Sequence, residues 1–281
     1  MIWGIARYEM RMQLRSLVFW LVLALAGLFF YTELVDEPIH RMEVALSYQR
    51  DPEGFKRLWQ NPERTAAEME QRLAEGWPAV QASDTFADRM QIVFTFGTLF
   101  AAAFVLERDR LSRAKEVLLP RPVRPLDYLI GKFLGISIPL LAGSGIALVT
   151  SIGVHIYVQG MVGAPWSSWP YLRAGFVLLA PTILYSAAVV LTLSTVLRRP
   201  AVVVPLFLGY EILGGVAPLR PKGTFDLTMF VARTENLGYS LWNEGLTALV
   251  LNRSLYLLLT GALLYVAARL YQRRFDRGEA L

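Results

Sequence analysis

Six long apolar stretches divide this 281-residue sequence, and they constrain its fold more than any other feature. A helix rises about 1.5 Å per residue, so roughly 20 apolar residues cross the about 30 Å hydrocarbon core of a bilayer. Hydrophobic residues make up 54% of the chain and the mean hydropathy is +0.40, values typical of membrane proteins. We therefore predict an all-α polytopic membrane protein with six spans. The predicted spans are approximately Leu17–Tyr31, Met90–Leu106, Phe133–Val154, Ala174–Leu197, Ala201–Pro218 and Leu255–Ala268.

The first apolar stretch follows three arginines, as the hydrophobic region of a secretory signal peptide would. It ends in Phe29–Tyr31, however, and not in the small residues of a cleavage site. We therefore expect a retained first span, in a single transmembrane domain that covers residues 1–281.

Basic residues are concentrated on one side of the predicted spans. Of the 28 Lys and Arg, 16 lie at the N-terminus, in residues 108–132, at Arg198 and Arg199, and in the tail from Arg269. The long segment Val35–Thr85, on the other side, combines six basic with ten acidic residues. Short basic loops mark the cytoplasmic side, so we predict that both termini are cytoplasmic. The net charge of +5 thus follows from topology, and we predict no nucleic-acid partner.

Residues 1–16 have the pattern of a helix that lies at the membrane interface. Arg7, Arg11 and Arg15 are four residues apart and share one helical face. The apolar residues fall largely elsewhere on the helix: Trp3, Ile5, Ala6, Met10 and Leu14. The alternative is a basic flank that only orients the first span.

The polar segment of residues 35–85 predicts a small helical cap on the outer side. Asn61 is a candidate N-cap, Pro62 suits the first helical position, and Gly76 is a stop signal. This helix would pack an apolar face on the membrane part or on a partner. The face consists of Ala66, Met69 and Leu73, and a second short helix is expected around Phe55, Leu58 and Trp59.

A second outer segment, residues 219–250, mixes short apolar pieces with glycine and charge. Phe225–Ala232 and Leu246–Leu251 are too short to cross a bilayer. We predict that they enter the outer leaflet as re-entrant pieces.

The sequence offers little for catalysis or for a bound cofactor. There is no cysteine, and neither His40 nor His155 has a metal-ligand neighbour at helical spacing. Ser144 lies between two glycines, but His155 is eleven residues further along the same span, too far for a hydrogen bond. Gly131–Lys132 lacks the first glycine and the Ser or Thr of a phosphate-binding loop. We predict no enzyme, no metal site and no cofactor in this chain.

Glu211 is the one carboxylate well inside a predicted span, next to Tyr210. Because an ionisable group in hydrocarbon is costly, such a residue usually faces a cavity or a partner. One hypothesis places Glu211 and Tyr210 on a translocation path. The other is a structural bond to a neighbouring helix.

The most unusual segment of the chain joins the second and third predicted spans. Residues 107–132 contain seven basic residues, four acidic residues and three prolines. Helix-forming residues extend to Leu119, and the prolines then force a break before a helix restarts at Leu126. We predict a helix, an elbow and a second helix on the cytoplasmic side.

This segment resembles the cytoplasmic loop of the membrane-spanning subunits of type-2 ABC transporters. In that family an acidic residue precedes a glutamate with two leucines, a proline with a basic neighbour, and a tyrosine before Gly-Lys. The matching residues here are Glu107, Glu116, Leu118, Leu119, Pro122, Arg124, Tyr128, Gly131 and Lys132. The family's N-terminal interfacial helix is similar to the pattern of Arg7, Glu9, Arg11 and Arg15. Arg113, Ala114 and Lys115 depart from the small residues usual before the glutamate.

The resemblance implies that residues 107–127 form a coupling loop, which docks on a separate ATPase subunit. It also implies a complex of two ATPase subunits, which bind ATP and Mg, with two permease chains, identical or different, in membrane lipid. The direction expected from the family is export. The residues expected to dock are Glu107, Arg113, Glu116, Leu118, Leu119, Arg121, Pro122 and Arg124.

Other functions remain open at this point. The charged segment has a simpler interpretation as a solvated loop that obeys the positive-inside rule. The whole chain could be an ATP-independent channel, an ion-coupled carrier or a membrane assembly factor. A gene for an ABC ATPase beside this one would favour the transporter subunit.

Overall fold

A computed structural model gives the fold of the protein. It describes residues 1–53, 62–75, 79–111, 124–197, 199–216 and 246–276. The described residues are helical apart from short turns, which confirms the predicted all-α class. The predicted helix around Phe55, the region of residues 112–123 and the piece Phe225–Ala232 lie outside the described residues.

The described part of the chain contains eleven α-helices. In the first half they are α1 (Ile2–Leu14), α2 (Leu17–Phe30), α3 (Glu37–Arg50), α4 (Pro62–Glu75), α5 (Ala79–Ala103) and α6 (Val105–Leu111). In the second half they are α7 (Pro125–Val162), α8 (Trp169–Arg173), α9 (Ala180–Leu197), α10 (Pro200–Val216) and α11 (Leu246–Asp276). Two π-helical stretches continue these helices, Tyr31–Asp36 between α2 and α3 and Ala174–Leu179 between α8 and α9.

The core of the bundle lies among α5, α7, α9 and α11. Small residues let α9 approach its neighbours closely, since Ala187, Ala188 and Ser186 are fully buried. Larger apolar side chains such as Leu99 and Leu191 fill the remaining space. The hydroxyl groups of α9 bond carbonyl oxygens one turn back in their own helix, so they are buried without a lost hydrogen bond.

Four helical stretches in the described part of the chain are long and apolar enough to cross a membrane. They are Thr85–Asp109, Pro125–Val162, Trp169–Leu197 and Arg253–Arg273, and they contain the second, third, fourth and sixth predicted spans. The other two predicted spans correspond to α2 and α10, which are apolar but shorter. Fourteen residues of α2 cover only about 21 Å, although the π-helical stretch lengthens the same rod. Six spans therefore stays a prediction.

Helices α3 and α4 pack together against the far end of α7. Met42, Ala45 and Tyr48 of α3 meet Met69 of α4 and Val158 of α7 in a small cluster of their own. The Tyr48 hydroxyl also donates a hydrogen bond to Glu70, at 3.1 Å. Helix α4 begins at Pro62, as the sequence predicts, and buries Met69 and part of Leu73 from the predicted apolar face.

The ends of α7 fit the local sequence. Pro125 occupies the first turn, where its missing N–H costs nothing, and the residue before it is extended. Gly163 ends the helix in a left-handed conformation with φ of 67°, which residues other than glycine rarely adopt. Leu246–Leu251, predicted as a short re-entrant piece, forms the first residues of α11.

Candidate functional site

Helix α1 lies directly on the first turns of α7 because two glycines leave room for it. A β-carbon added at Gly131 would come 2.7 Å from the Ile5 β-carbon. A β-carbon at Gly135 would come 2.5 Å from the Glu9 β-carbon, which is too close for any real contact. The two glycines thus bring the backbone of α1 within reach of the side chains around Lys132.

Glu9 of α1 is held between two cations in this contact. Its Oε2 lies 2.6 Å from the Lys132 ammonium, and its Oε1 pairs with the Arg108 guanidinium. Gln13, one turn further along α1, donates a hydrogen bond of 3.0 Å to the same Oε1. Glu9 and Lys132 are both completely buried.

Lys132 joins this pair to a second acid. Its ammonium lies 2.6 Å from Oδ2 of Asp109, and the Tyr128 hydroxyl donates a hydrogen bond to the same oxygen. The ammonium also lies 5.6 Å from the centre of the Tyr128 ring and 5.7 Å from that of Tyr8. Such distances favour cation–π attraction. We call Glu9, Arg108, Asp109, Tyr128 and Lys132 the ion cluster.

The ion cluster lies beside the junction of α5 and α6, where the α-helix is interrupted at Phe104. Helix α5 ends at Ala103 and α6 begins at Val105, so carbonyl groups near the break lack their usual helical partners. Gln13 donates a hydrogen bond of 3.0 Å to the Ala101 carbonyl. Ser194 of α9 donates one of 3.5 Å to the Ala103 carbonyl. Helices α1 and α9 therefore both donate hydrogen bonds at the point where the α-helix is interrupted.

The charges within the ion cluster balance. Two carboxylates face two cations, and the buried members exchange water for partners of opposite charge and for hydrogen bonds. Deleting one partner of a buried pair leaves an uncompensated charge and typically costs about 3–5 kcal/mol. The arrangement therefore favours one fixed geometry of α1, α6 and α7.

This geometry fixes both ends of the predicted coupling loop at one place. Arg108 and Asp109 belong to α6, which leads into the loop, and Tyr128 and Lys132 belong to α7, which follows it. Glu9 ties both ends to α1. A displacement of the loop would therefore act on α1, α6 and α7 together.

The structure places only some of the residues predicted to dock or to lie at the interface. Arg7, Arg11 and Arg15 are exposed on α1, whereas Glu9 of the same predicted set is buried in the ion cluster. Glu107 is half-buried at the start of α6, and Arg124 is exposed just before α7. The other predicted docking residues lie outside the described residues: Arg113, Glu116, Leu118, Leu119, Arg121 and Pro122.

A second polar group lies inside the bundle, around Arg253 of α11. The guanidinium is buried, its Nη1 donates a hydrogen bond of 3.0 Å to the Thr182 hydroxyl, and it lies 4.5 Å from the centre of the Tyr256 ring. Tyr256 stacks on Tyr185 with ring centres 4.6 Å apart. The Tyr185 hydroxyl lies 3.5 Å from that of Tyr210, a residue predicted on the translocation path.

Glu211 follows Tyr210 in α10, but its side chain lies outside the described residues. The two other residues considered for chemistry are separate from both polar groups. Ser144 donates its hydrogen bond to the Leu141 carbonyl of its own helix, at 2.8 Å. His155 is fully buried against the Tyr171 ring, with ring centres 5.3 Å apart.

Sequence reasoning missed three charged members of the two polar groups, Arg108, Asp109 and Arg253, and the uncharged Thr182, Tyr185 and Tyr256 as well. Arg108 and Asp109 are adjacent opposite charges at the end of an apolar span, and that pattern is a usable signal for a buried pair. The predicted sixth span begins at Leu255 and so excludes Arg253, whereas the membrane-length helical stretch begins at Arg253 itself. Its position before a run of leucines is also typical of an interfacial flank, so nothing in the sequence identifies it as buried.

Comparison with known proteins agrees with this arrangement. The family model described as ABC-2 family transporter protein matches residues 3–218, most of the chain. The chain belongs to the ABC-2 transporter family. The match includes the whole ion cluster and the segment between α6 and α7. No curated protein matches the chain.

Family membership gives this ABC-2 protein a coarse function. It is a multi-pass membrane protein and the membrane component of an ABC transporter, and the family's membrane component is not itself catalytic. Its partner within such a transporter is an ABC ATPase. The family thus favours the transporter subunit over the carrier, the channel and the assembly factor.

Proposed function

We propose that this chain is the permease of an ATP-driven exporter in a bacterial or archaeal inner membrane, with both termini in the cytoplasm. Two permease chains, identical or different, would combine with two separate ATPase subunits that bind ATP and Mg. Residues 107–127 would dock on the ATPase. Export is the direction that the family resemblance implies.

The observation that carries this proposal is the ion cluster. A loop that only linked two spans would not require three helices to be joined at its ends by buried charges, because burying ions is costly. A loop that receives force from an ATPase does require a rigid attachment. Glu9, Asp109 and Lys132 supply such an attachment with pairings of 2.6 Å around one ammonium.

Movement of the loop would then be passed to the helices that follow it. Helix α7 continues from Lys132 for 30 further residues to Val162, where it contacts α3 and α4. We propose that α7 acts as the lever between the ATPase side and the outer side. The helical cap of α3 and α4 would then move with it.

The proposed translocation path runs beside Tyr210 and Glu211 of α10 and includes Arg253 of α11. A buried guanidinium and stacked tyrosines form a polar route in an apolar bundle, and ionisable residues within spans often mark such routes. Tyr210→Phe and Arg253→Lys should raise the substrate concentration that half-maximally stimulates the ATPase. Unchanged values in both variants would place the path elsewhere.

The docking proposal is tested by copurification of the full chain with its ATPase from membranes that contain both. Glu116→Arg and the double variant Leu118→Ala with Leu119→Ala should reduce the recovered ATPase at least tenfold. Each change removes a contact expected at the centre of a small interface, where a few residues carry most of the binding energy.

The matched control is Glu43→Arg, the same charge reversal at an exposed position on α3, which packs near the end of α7 opposite Lys132. It should leave ATPase recovery unchanged. Full recovery with all the loop variants would show that the ATPase docks elsewhere or that no ATPase binds. Yield and melting temperature of each variant show whether it has folded.

A further inference from the structure

The outward face of α11 changes from apolar to basic along its length. Leu258 and Val266 are exposed on this face, and so is Tyr265. Arg269, Gln272 and Arg273 continue the same exposed face beyond Tyr265. In the membrane, such a face passes from the region of acyl chains to that of the headgroups.

The rotation of α11 is fixed by contacts on its opposite side. Tyr271 is buried, and its ring centre lies 5.2 Å from that of Tyr128, a member of the ion cluster. Residues two positions away on a helix point in nearly the opposite direction, at about 200°. Because Tyr271 faces inward, Arg269 and Arg273 face outward.

These side chains line a surface pocket of about 480 Å³, whose described lining is Tyr265, Arg269, Gln272 and Arg273. Tyr265 orients Arg269, whose Nε donates a hydrogen bond of 2.9 Å to the tyrosine hydroxyl. The guanidinium carbon also lies 5.2 Å from the centre of the ring. Among the side chains that the structure describes, whose coverage of α11 ends at Arg273, no carboxylate pairs with either arginine.

We propose that this pocket binds the phosphate of an anionic phospholipid, with its acyl chains along the exposed apolar face of α11. Two guanidinium groups one turn apart, one of them held by Tyr265, match the geometry and charge of a phosphate with its bonded oxygens. Gln272 adds amide donors, and the tyrosine ring belongs at the level of the headgroups.

The apolar face argues for a lipid and against free phosphate. A soluble anion would use only Arg269 and Arg273, whereas a phospholipid would also cover Leu258 and Val266 on the same face. Basic pockets at the ends of spans are recognised sites for anionic headgroups. This inference requires that α11 crosses the membrane, but it is independent of where the ATPase docks.

The test is the affinity of the purified full-length chain for a phosphatidylglycerol, compared with phosphatidylcholine of the same acyl chains, by native mass spectrometry. The double variant Arg269→Gln with Arg273→Gln should bind phosphatidylglycerol about thirtyfold more weakly, since each arginine near a charged headgroup contributes about fivefold. Binding of phosphatidylcholine should change little.

The control is the double variant Arg41→Gln with Arg50→Gln, which removes the same number of positive charges from exposed positions on α3, at the other end of the bundle. It should keep the affinity for phosphatidylglycerol within about threefold of the unmodified chain. Equal weakening by both double variants, or equal affinity of the unmodified chain for the two lipids, would overturn the proposal.

Two further arms identify the ligand. Inorganic phosphate and glycerophosphoglycerol, which lacks acyl chains, should displace phosphatidylglycerol only at concentrations at least a hundredfold above that of the lipid. Displacement at equal concentration would indicate a free-phosphate site and contradict the lipid assignment. If the Arg269 and Arg273 variant instead loses its ATPase while its lipid affinity is unchanged, the pocket is a protein contact and the proposal fails.

Discussion

At the scale of single residues, Lys132 determines the chemistry of the proposed coupling site. Its ammonium contacts Glu9 and Asp109 at 2.6 Å each, so one buried cation is shared by helices from three parts of the chain. Arg108 balances the second negative charge. A lone lysine at this position would instead be a costly buried charge, because desolvation of the ammonium would lack compensation.

Removing one charge from the ion cluster should destabilise the protein strongly. Glu9→Gln leaves two cations facing one carboxylate, and we expect the melting temperature in detergent to fall by roughly 10 °C, as for a loss of about 3–5 kcal/mol. Glu43→Gln, at an exposed position on α3, should change it by no more than about 1 °C.

Combining Glu9→Gln with Lys132→Met should recover part of this loss, because the double variant keeps one charge of each sign, the half-buried Arg108 and the buried Asp109. A double-mutant cycle should give a coupling energy of at least about 1 kcal/mol. Strictly additive losses would show that Glu9 and Lys132 do not interact.

At the scale of the elements, the contact of α1 with α7 depends on two missing side chains. Gly131 and Gly135 are four residues apart on one face of α7, and α1 fills the space above both. The helix predicted to lie at the membrane interface is therefore packed on α7 through Ile5 and Glu9.

A methyl group at this contact should therefore be damaging. Gly135→Ala places a β-carbon 2.9 Å from the Ala6 carbonyl, so α1 must shift and the ion cluster must distort. Overpacking of this kind costs about 1–3 kcal/mol, and we expect a melting temperature lower by about 5 °C in the same detergent assay.

The matched control lies in the same helix. A β-carbon at Gly145 would have no atom within 4 Å. Gly145→Ala should leave stability unchanged or raise it slightly, since alanine favours a helix by about 1 kcal/mol over glycine. Equal effects of the two substitutions would contradict the close packing of α1 on α7.

The elements themselves were largely predictable from the sequence, because apolar length and local capping signals determine most of them. Pro62 and the apolar spacing after it predicted α4. The proline break predicted a helix that restarts at Leu126, and α7 begins one residue earlier, at Pro125. Helix α3 was missed, since its sequence has a mean hydropathy too low for a span and no clear apolar stripe. Its helical state depends on packing with Met69 and Val158.

The contacts within the ion cluster could not be predicted from the sequence, for a different reason. The family resemblance singled out Glu9, Tyr128 and Lys132, yet assigned Glu9 to an interfacial helix and gave no partner for it. Glu9 and Lys132 are separated by 123 residues, so their contact depends on how whole helices pack. Periodicity and spacing describe only one helix at a time.

At the scale of the whole molecule, the long helices place the ion cluster at one end of the bundle and the packed pair α3 and α4 at the other. Helix α7 connects the two ends, from Lys132 to Val158. If α2 crosses the membrane, α1 and α3 lie on opposite sides of it. The topology therefore decides whether α7 can act as the proposed lever.

The absence of cysteine makes this topology directly measurable. Single-cysteine variants at Arg7, Arg273 and Glu43 are all at exposed positions. A membrane-impermeant maleimide should label only the Glu43→Cys variant in intact cells and all three after permeabilisation. Labelling of Arg7→Cys in intact cells, or protection of Glu43→Cys, would contradict cytoplasmic termini and a spanning α2.

The central claim is that the ion cluster passes ATP-driven movement of the loop to the other end of the bundle. It is tested most directly by the distance between spin labels at Glu43→Cys on α3 and Val250→Cys near the start of α11, measured in the assembled complex with its ATPase. Adding a non-hydrolysable ATP analogue should change this distance by at least about 2 Å, the scale of helix shifts in such transitions. The same complex carrying Lys132→Met should bind the ATPase and show no change. An unaltered distance change in the Lys132→Met complex would contradict the claim.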